Sequence, residues 1–238
     1  MSLFRNLLIE KEMTLPSIYR KVKSLQSDGT AYINTGFVIP EDGATFEIDF
    51  TCKKWLTQNT IYGSRSQTSP YPGYLLYLYG NLRLTSMLAG TLMRAVYGDE
   101  DPAPQLTLNG VYNVRTSYYK NGNSFGFSES INGEPTVYKT GIATTYVQPG
   151  DCPLFIFASN NGDTPNNVSS SVDVHSFKIS TNDEQKIMDL IPCVRKADNV
   201  PGFFDKVGRK FLTNAASSGS HPIQRNKSRQ AIHNSGLY

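Results

Sequence analysis

Glu47 and Asp49 stand at alternate positions of the segment FEIDF, so a strand there would project both carboxylates from one face while Phe46, Ile48 and Phe50 turn inward. Retaining glycoside hydrolysis uses two such groups, about 5–5.5 Å apart, as nucleophile and acid/base. Here the pair reads instead as a solvated strand face. A second chemistry is sugar stacking, because the flat apolar face of an aromatic ring matches the C–H side of a pyranose. Trp55 (the sole tryptophan), Arg65, Tyr71 and Tyr74, with the amides of Asn160 and Asn161, form the expected carbohydrate-binding set. The tyrosine row Tyr74–Tyr79 also fits a strand buried on both faces, and the Asn-rich stretch a plain connection. Asp99, Glu100 and Asp101 are consecutive and do not converge on a calcium ion, so no metal site is expected there. His175 has no nucleophile–acid pair assigned to it by motif and reads as a strand residue. No catalytic residue and no cofactor are expected.

Strands and turns must position these groups. Ser27, Asp28 and Gly29 form a turn cluster, after which Ala31, Ile33 and Thr35 share one face and Tyr32 and Asn34 the other, up to Gly36. Thr45–Phe50, Ile61–Arg65 and Tyr74–Tyr79 read as strands, with Gly80-Asn81 as a hairpin turn into Leu82–Met87. Val111–Tyr119 and Ser124–Ile131 read as a hairpin across an Asn-Gly turn, with Asn132-Gly133 supplying a second turn. Leu154–Ala158 is a continuous apolar strand, Ser159–Asn167 a long polar loop, and Ser171–Ser180 a strand whose change of phase at His175 predicts a bulge. Asn182–Ile187 reads as a possible helical turn, and Gly202–Phe211 as a hairpin turning at Asp205 and Lys206.

Several of these segments carry a resemblance. Ser27, Gly29, Thr30, Tyr32, Ile33, Thr35 and Gly36 resemble the S-x-G-T-x-Y-I-x-T-G opening of concanavalin A-like (laminin-G-like) jelly-roll domains of bacterial surface proteins and phage virion proteins. Ile61–Arg65, Leu154–Gly162 and His175–Ser180 add matches in order, and Asp189–Ala215 resembles the closing D-x-I-P-C-x-R … G-x-x-D-x-V-x-x-K-F signature. Spaced matches are more specific than one. The resemblance implies an all-β, two-sheet antiparallel jelly-roll sandwich over residues 19–218, preceded by a 1–18 anchor segment and followed by an extended polar and basic tail at 219–238. Laminarinase-type glycoside hydrolases share this fold and carry E-x-D-x-x-E on one strand; here Cys52 takes the third acidic position, and a lone carboxylate cannot both attack and protonate. The expectation is therefore not an enzyme.

Bulk properties agree with one large β-domain, since 238 residues with 39% hydrophobic and 11% aromatic content can supply a sizeable core. A formal net charge of +3, without a basic stripe, speaks against nucleic acid. Cys52, Cys152 and Cys193 make no CxxC spacing and read as free, buried thiols. No run approaches membrane-spanning length, and the Leu3–Ile9 cluster, broken by Arg5 and Asn6, does not fit a usual secretion signal.

Leu3, Phe4, Leu7, Leu8 and Ile9 at the start, with Ile223, Arg225 and Ile232 in the tail, are the expected assembly anchors. Alone the tail should lack structure. The resemblance then implies a bacteriophage virion structural protein, a head or tail fibre or decoration, displaying a lectin-like jelly roll. Its partners would be other virion proteins, further copies of itself in a homo-oligomer such as the trimer many fibres use, and polysaccharide, with no nucleic acid and no membrane. The alternative is a free-standing carbohydrate-binding module on a bacterial cell surface.

Overall fold

A computed structural model describes residues 14–54, 58–65, 73–79, 82–88, 91–92, 104–143, 152–216 and 223–225. The strands are β1 (Tyr19–Lys21), β2 (Ser24–Gln26), β3 (Ile33–Val38), β4 (Gly43–Cys52), β5 (Gln58–Arg65), β6 (Gly73–Tyr79), β7 (Arg83–Leu88), β8 (Thr91–Leu92), β9 (Val111–Asn121) and β10 (Ser124–Ile131). They continue with β11 (Glu134–Ala143), β12 (Pro153–Ile156), β13 (Ser159–Asn161), β14 (Thr164–Asn166), β15 (Val172–Ser180), β16 (Lys186–Arg195), β17 (Pro201–Asp205), β18 (Lys210–Leu212) and β19 (Ile223–Arg225).

Two sheets face each other as the expected jelly-roll sandwich. The larger runs β11-β10-β9-β4-β15-β16-β17-β18, with β1, β2 and β19 at its margin, and the smaller runs β14-β13-β5-β6-β7-β8, with β12 beside β5 and β3 beside β12. Alternation builds the core: Phe46, Ile48 and Phe50 of β4 and Phe125 and Phe127 of β10 meet Tyr62 of β5 and Tyr74, Leu76 and Leu78 of β6. Each such side chain contributes about 1.5–3 kcal/mol by leaving water. One strand pairing among the described residues departs from the antiparallel expectation. Phe157, at φ 69°, reverses the chain after β12, and β13 then runs parallel to β5.

Three local expectations change. Ser159–Asn167 is not a loop but the hairpin β13–β14, turning at Gly162 and Asp163. The helical turn expected at Asn182–Ile187 is a tight reversal with Glu184 at φ 64°, closed by Thr181 N–H on Gln185 O at 2.9 Å and Glu184 N–H on Thr181 O at 3.1 Å. Ile223–Arg225 of the tail pairs with Ser24–Gln26, because β2 offers an edge whose backbone groups need partners. The bulge expected near His175 is present, as a register shift against β4 between Val174 and Ser176. It lets Val172 and Val174 before it, and Phe177 and Ile179 after it, all face the core.

Candidate functional site on the outer face of the large sheet

Of the expected glycan residues that are described, Tyr74 and Asn160 are buried while Arg65 and Asn161 lie together. Tyr74 is 1% exposed and stacks on Phe46 at 5.3 Å, because it shares the inward phase of β6 with Leu76 and Leu78. It is a core residue, not a sugar contact. Asn160 is also fully buried, its amide donating to Pro153 O at 2.8 Å. Arg65 and Asn161 are brought side by side, opposite one another in the β5–β13 register. Trp55 and Tyr71 lie outside the described residues, as do Leu3, Phe4, Leu7, Leu8, Ile9 and Ile232. Ile223 and Arg225 are on β19, at the margin of their own sheet.

A different surface gathers polar chemistry. On β9, Asn113, Arg115, Ser117 and Tyr119 alternate outward while Val114, Thr116 and Tyr118 are buried. Register stacks these against Thr45, Glu47 and Asp49 of β4 and Ser128 and Ser130 of β10, and beyond them Ser176 and Lys178 of β15. One cross-strand row thus reads Ser130, Arg115, Glu47, Lys178 and Asp189, with Lys206 at its far end.

Hydrogen bonds fix this face. Lys178 Nζ donates to Glu47 Oε1 at 2.8 Å, and Asn113 Nδ2 bridges Glu47 Oε1 at 3.3 Å and Asp49 Oδ1 at 2.8 Å. Ser176 Oγ donates to Asp49 Oδ2, and Lys206 Nζ sits 2.6 Å from Asp189 Oδ2. Burial alone would lower the pKa of Lys178, but its hydrogen bond and charge contact with Glu47, helped by Asp49 and Asp189, outweigh that and raise it. Glu47 and Asp49 are therefore half-buried members of a ladder and not a freely solvated pair. Cys52 falls on the inward phase of β4 with its thiol buried, so its side chain does not join those carboxylates. His175 is satisfied structurally: Nδ1–H donates to Lys23 O at 3.2 Å and Nε2 accepts from Thr51 Oγ1 at 2.7 Å, the tautomer following from these partners.

Two aromatic rings border the ladder at its β9–β11 end. Tyr138 of β11, opposite Ser128, is 70% exposed. Tyr119 lies over Gly126, where an added Cβ would meet the Tyr119 hydroxyl at 2.7 Å and ring carbons closer still. Burial and then a hydrogen bond with Tyr138 push the Tyr119 phenol up to about 12. Beside Tyr138 a shallow depression of about 200 Å³ is lined by Arg115, Ser128, Glu129, Ser130 and Pro135. Glu129 is 2% exposed and shares the inward phase of Phe125 and Phe127, so the depression presents Arg115 and two hydroxyls rather than a carboxylate. The readable signal for this face was the alternation of Asn113, Arg115, Ser117 and Tyr119 within β9; only register could join it to β4, β10 and β11.

No family model matches the chain, and no curated protein matches it in sequence. Among solved structures it is similar to a putative carbohydrate binding protein from Bacteroides ovatus, at TM-score 0.53 and 15% identity over 86% of this chain. The match spans 62% of that protein's chain. An SAP-like pentraxin from Limulus polyphemus matches at TM-score 0.44 and 12% identity, covering 67% of this chain and 73% of that one. The CBM40 of Ruminococcus gnavus IT-sialidase, bound to alpha2,3 sialyllactose, matches at 0.42 and 11%, covering 66% and 88%. At these identities the likeness is one of fold. The chain is an all-β jelly-roll sandwich whose larger sheet presents a hydrogen-bonded polar face edged by two tyrosines.

Proposed function

We propose that the chain is a non-catalytic carbohydrate-binding module and that glycans lie on the outer face of the large sheet at its β9–β11 end. The observation that carries this is Tyr138, a largely exposed ring beside the hydroxyls of Ser128 and Ser130 and the guanidinium of Arg115. Such a ring covers the apolar side of a sugar while the flanking donors and acceptors bind its hydroxyls. The fold shared with the putative carbohydrate binding protein from Bacteroides ovatus supports the reading. Binding without hydrolysis is supported by the inward turn of Cys52 and by the commitment of Glu47 to Lys178 and Asn113. Affinity electrophoresis of the full chain through gels containing a panel of polysaccharides tests it. Retardation by at least one glycan, lost in Tyr138→Ala, is expected; unretarded migration in every gel contradicts it.

A second reading concerns where the module works. The resemblance of Ser27–Gly36 and Asp189–Ala215 to domains of phage virion proteins supports display on a virion, with Met1–Leu15 as the attachment. The alternative location is a bacterial cell surface. Deleting Met1–Leu15 should abolish incorporation into particles, and normal incorporation of that truncation contradicts the virion reading.

A further inference from the structure

We propose that the depression beside Arg115 takes a carboxylate-bearing sugar and that Glu184 occupies the ligand's place on Arg115 until one arrives. The inference rests on the glycan-binding reading of the same face. Charge along the ladder points to it. Glu47 is paired with Lys178 at 2.8 Å and Asp189 with Lys206 at 2.6 Å, so Arg115 is the cation at the row's β9 end, where the depression opens. Asp49 is held by Asn113 and Ser176, and Glu129 faces inward, so neither presents a carboxylate to a ligand there.

The partner of Arg115 comes from another element. The reversal between β15 and β16 folds back over the end of β4, with Asn182 Nδ2 donating to Asp42 O at 3.0 Å and Thr45 Oγ1 donating to Asn182 Oδ1 at 3.4 Å. From that turn Glu184, in the left-handed conformation, places Oε1 on Arg115 Nη2. Both side chains are open to solvent, 39% and 64% exposed, so the pair contributes little to folding and exchanges readily. One guanidinium offers five donors in a fork that fits carboxylate geometry, and this pairing uses a single Nη2 contact. A sugar carboxylate can therefore displace Glu184 and gain the fork, with Ser128, Ser130 and Tyr138 left to bind the ring.

Isothermal titration of the full chain tests this with three carboxylated glycans (polygalacturonate, alginate and a sialylated oligosaccharide), a sulfated glycan and neutral glucans. The wild type should bind a carboxylated glycan better than any neutral one, and more weakly as salt is raised. Arg115→Gln should weaken that binding by about tenfold or more, with Arg115→Lys recovering part of it. Glu184→Gln should tighten it by about two- to fivefold. Thermal melts of each variant separate lost binding from lost folding. Binding of neutral glucans alone, equal binding of the sulfated glycan, or affinities unmoved by both Arg115→Gln and Glu184→Gln would overturn the proposal while leaving glycan binding intact. No binding to any probe would overturn the reading beneath it as well.

Discussion

Replacing Tyr74 with alanine separates a core tyrosine from a sugar-binding one. The ring is packed between the sheets, 5.3 Å from Phe46 and nearly parallel to it, 5.8 Å from Tyr62 and 6.2 Å from Phe127. Truncating a buried aromatic costs about 3–5 kcal/mol, since the transfer energy is lost and a cavity remains. Three aromatic neighbours put Tyr74 in the upper part of that range, at about 4 kcal/mol. With a urea m-value of about 3 kcal/mol/M, the unfolding midpoint should fall by about 1.3 M. Tyr138→Ala, at an exposed position, should stay within about 0.5 kcal/mol of the wild type. Urea titration followed by far-ultraviolet circular dichroism reads both variants. A Tyr74→Ala midpoint close to wild type, combined with loss of glycan binding, would refute the reasoning and return Tyr74 to the binding surface.

Three further predictions follow from burial, charge and contact. Burial pushes the thiols of Cys52 and Cys193 up to about 12, so the folded chain keeps both protons after the unfolded chain has begun to lose them near 9.0. Stability from these groups is complete below the unfolded value and falls as pH rises, by about 1.4 kcal/mol per thiol at one unit above it; urea midpoints that match at pH 8 and pH 10 would contradict this. Lys178→Met leaves Glu47, among the described residues, with Asn113 as its side-chain partner, and because Lys178 is more than a third exposed the expected loss is about 1 kcal/mol, shrinking in high salt; a loss above about 3 kcal/mol would mean the pair is desolvated. Gly126→Ala should displace the Tyr119 ring at a cost of about 1–2 kcal/mol. It should also bring the Tyr119 phenol down from about 12 as its burial and its bond to Tyr138 are lost, so an unchanged titration by NMR would show that the ring had not moved.

Most of the fold was legible because alternation and turn chemistry agree locally. FEIDF and the phase change at His175 appear where the residues place them, and the hairpin expected at the Asn-Gly pair is present but turns one residue later, at Gly122 and Asn123. The closing segment was legible for a related reason: its motif residues hold the three-stranded meander β16–β17–β18 together. Asp205 Oδ1 accepts from Asp189 N–H and Val207 N–H at 3.1 Å, Arg195 pairs with Asp198 and lies 5.2 Å over the Phe211 ring, and Gly202 leaves room that a Cβ would fill against Leu212 O. The candidate site was not legible, since neither periodicity nor composition says which strands become neighbours. Tyr74 carries the side chain a sugar site needs but on the inward phase, whereas Tyr138 meets Ser128 only through the β10–β11 register. Asn160 was misplaced because Phe157 reverses the chain in a left-handed conformation, which residue type alone does not announce.

Backbone amide shifts, followed by NMR as a retarding polysaccharide is titrated into labelled full-length protein, test glycan binding on this face most directly. The account predicts changes concentrated at Asn113–Tyr119, Ser128–Ser130 and Tyr138, spreading to Glu47 and Lys178 along the ladder. Changes centred instead on Arg65 and Asn161, with Tyr138 and Arg115 unmoved, would contradict it.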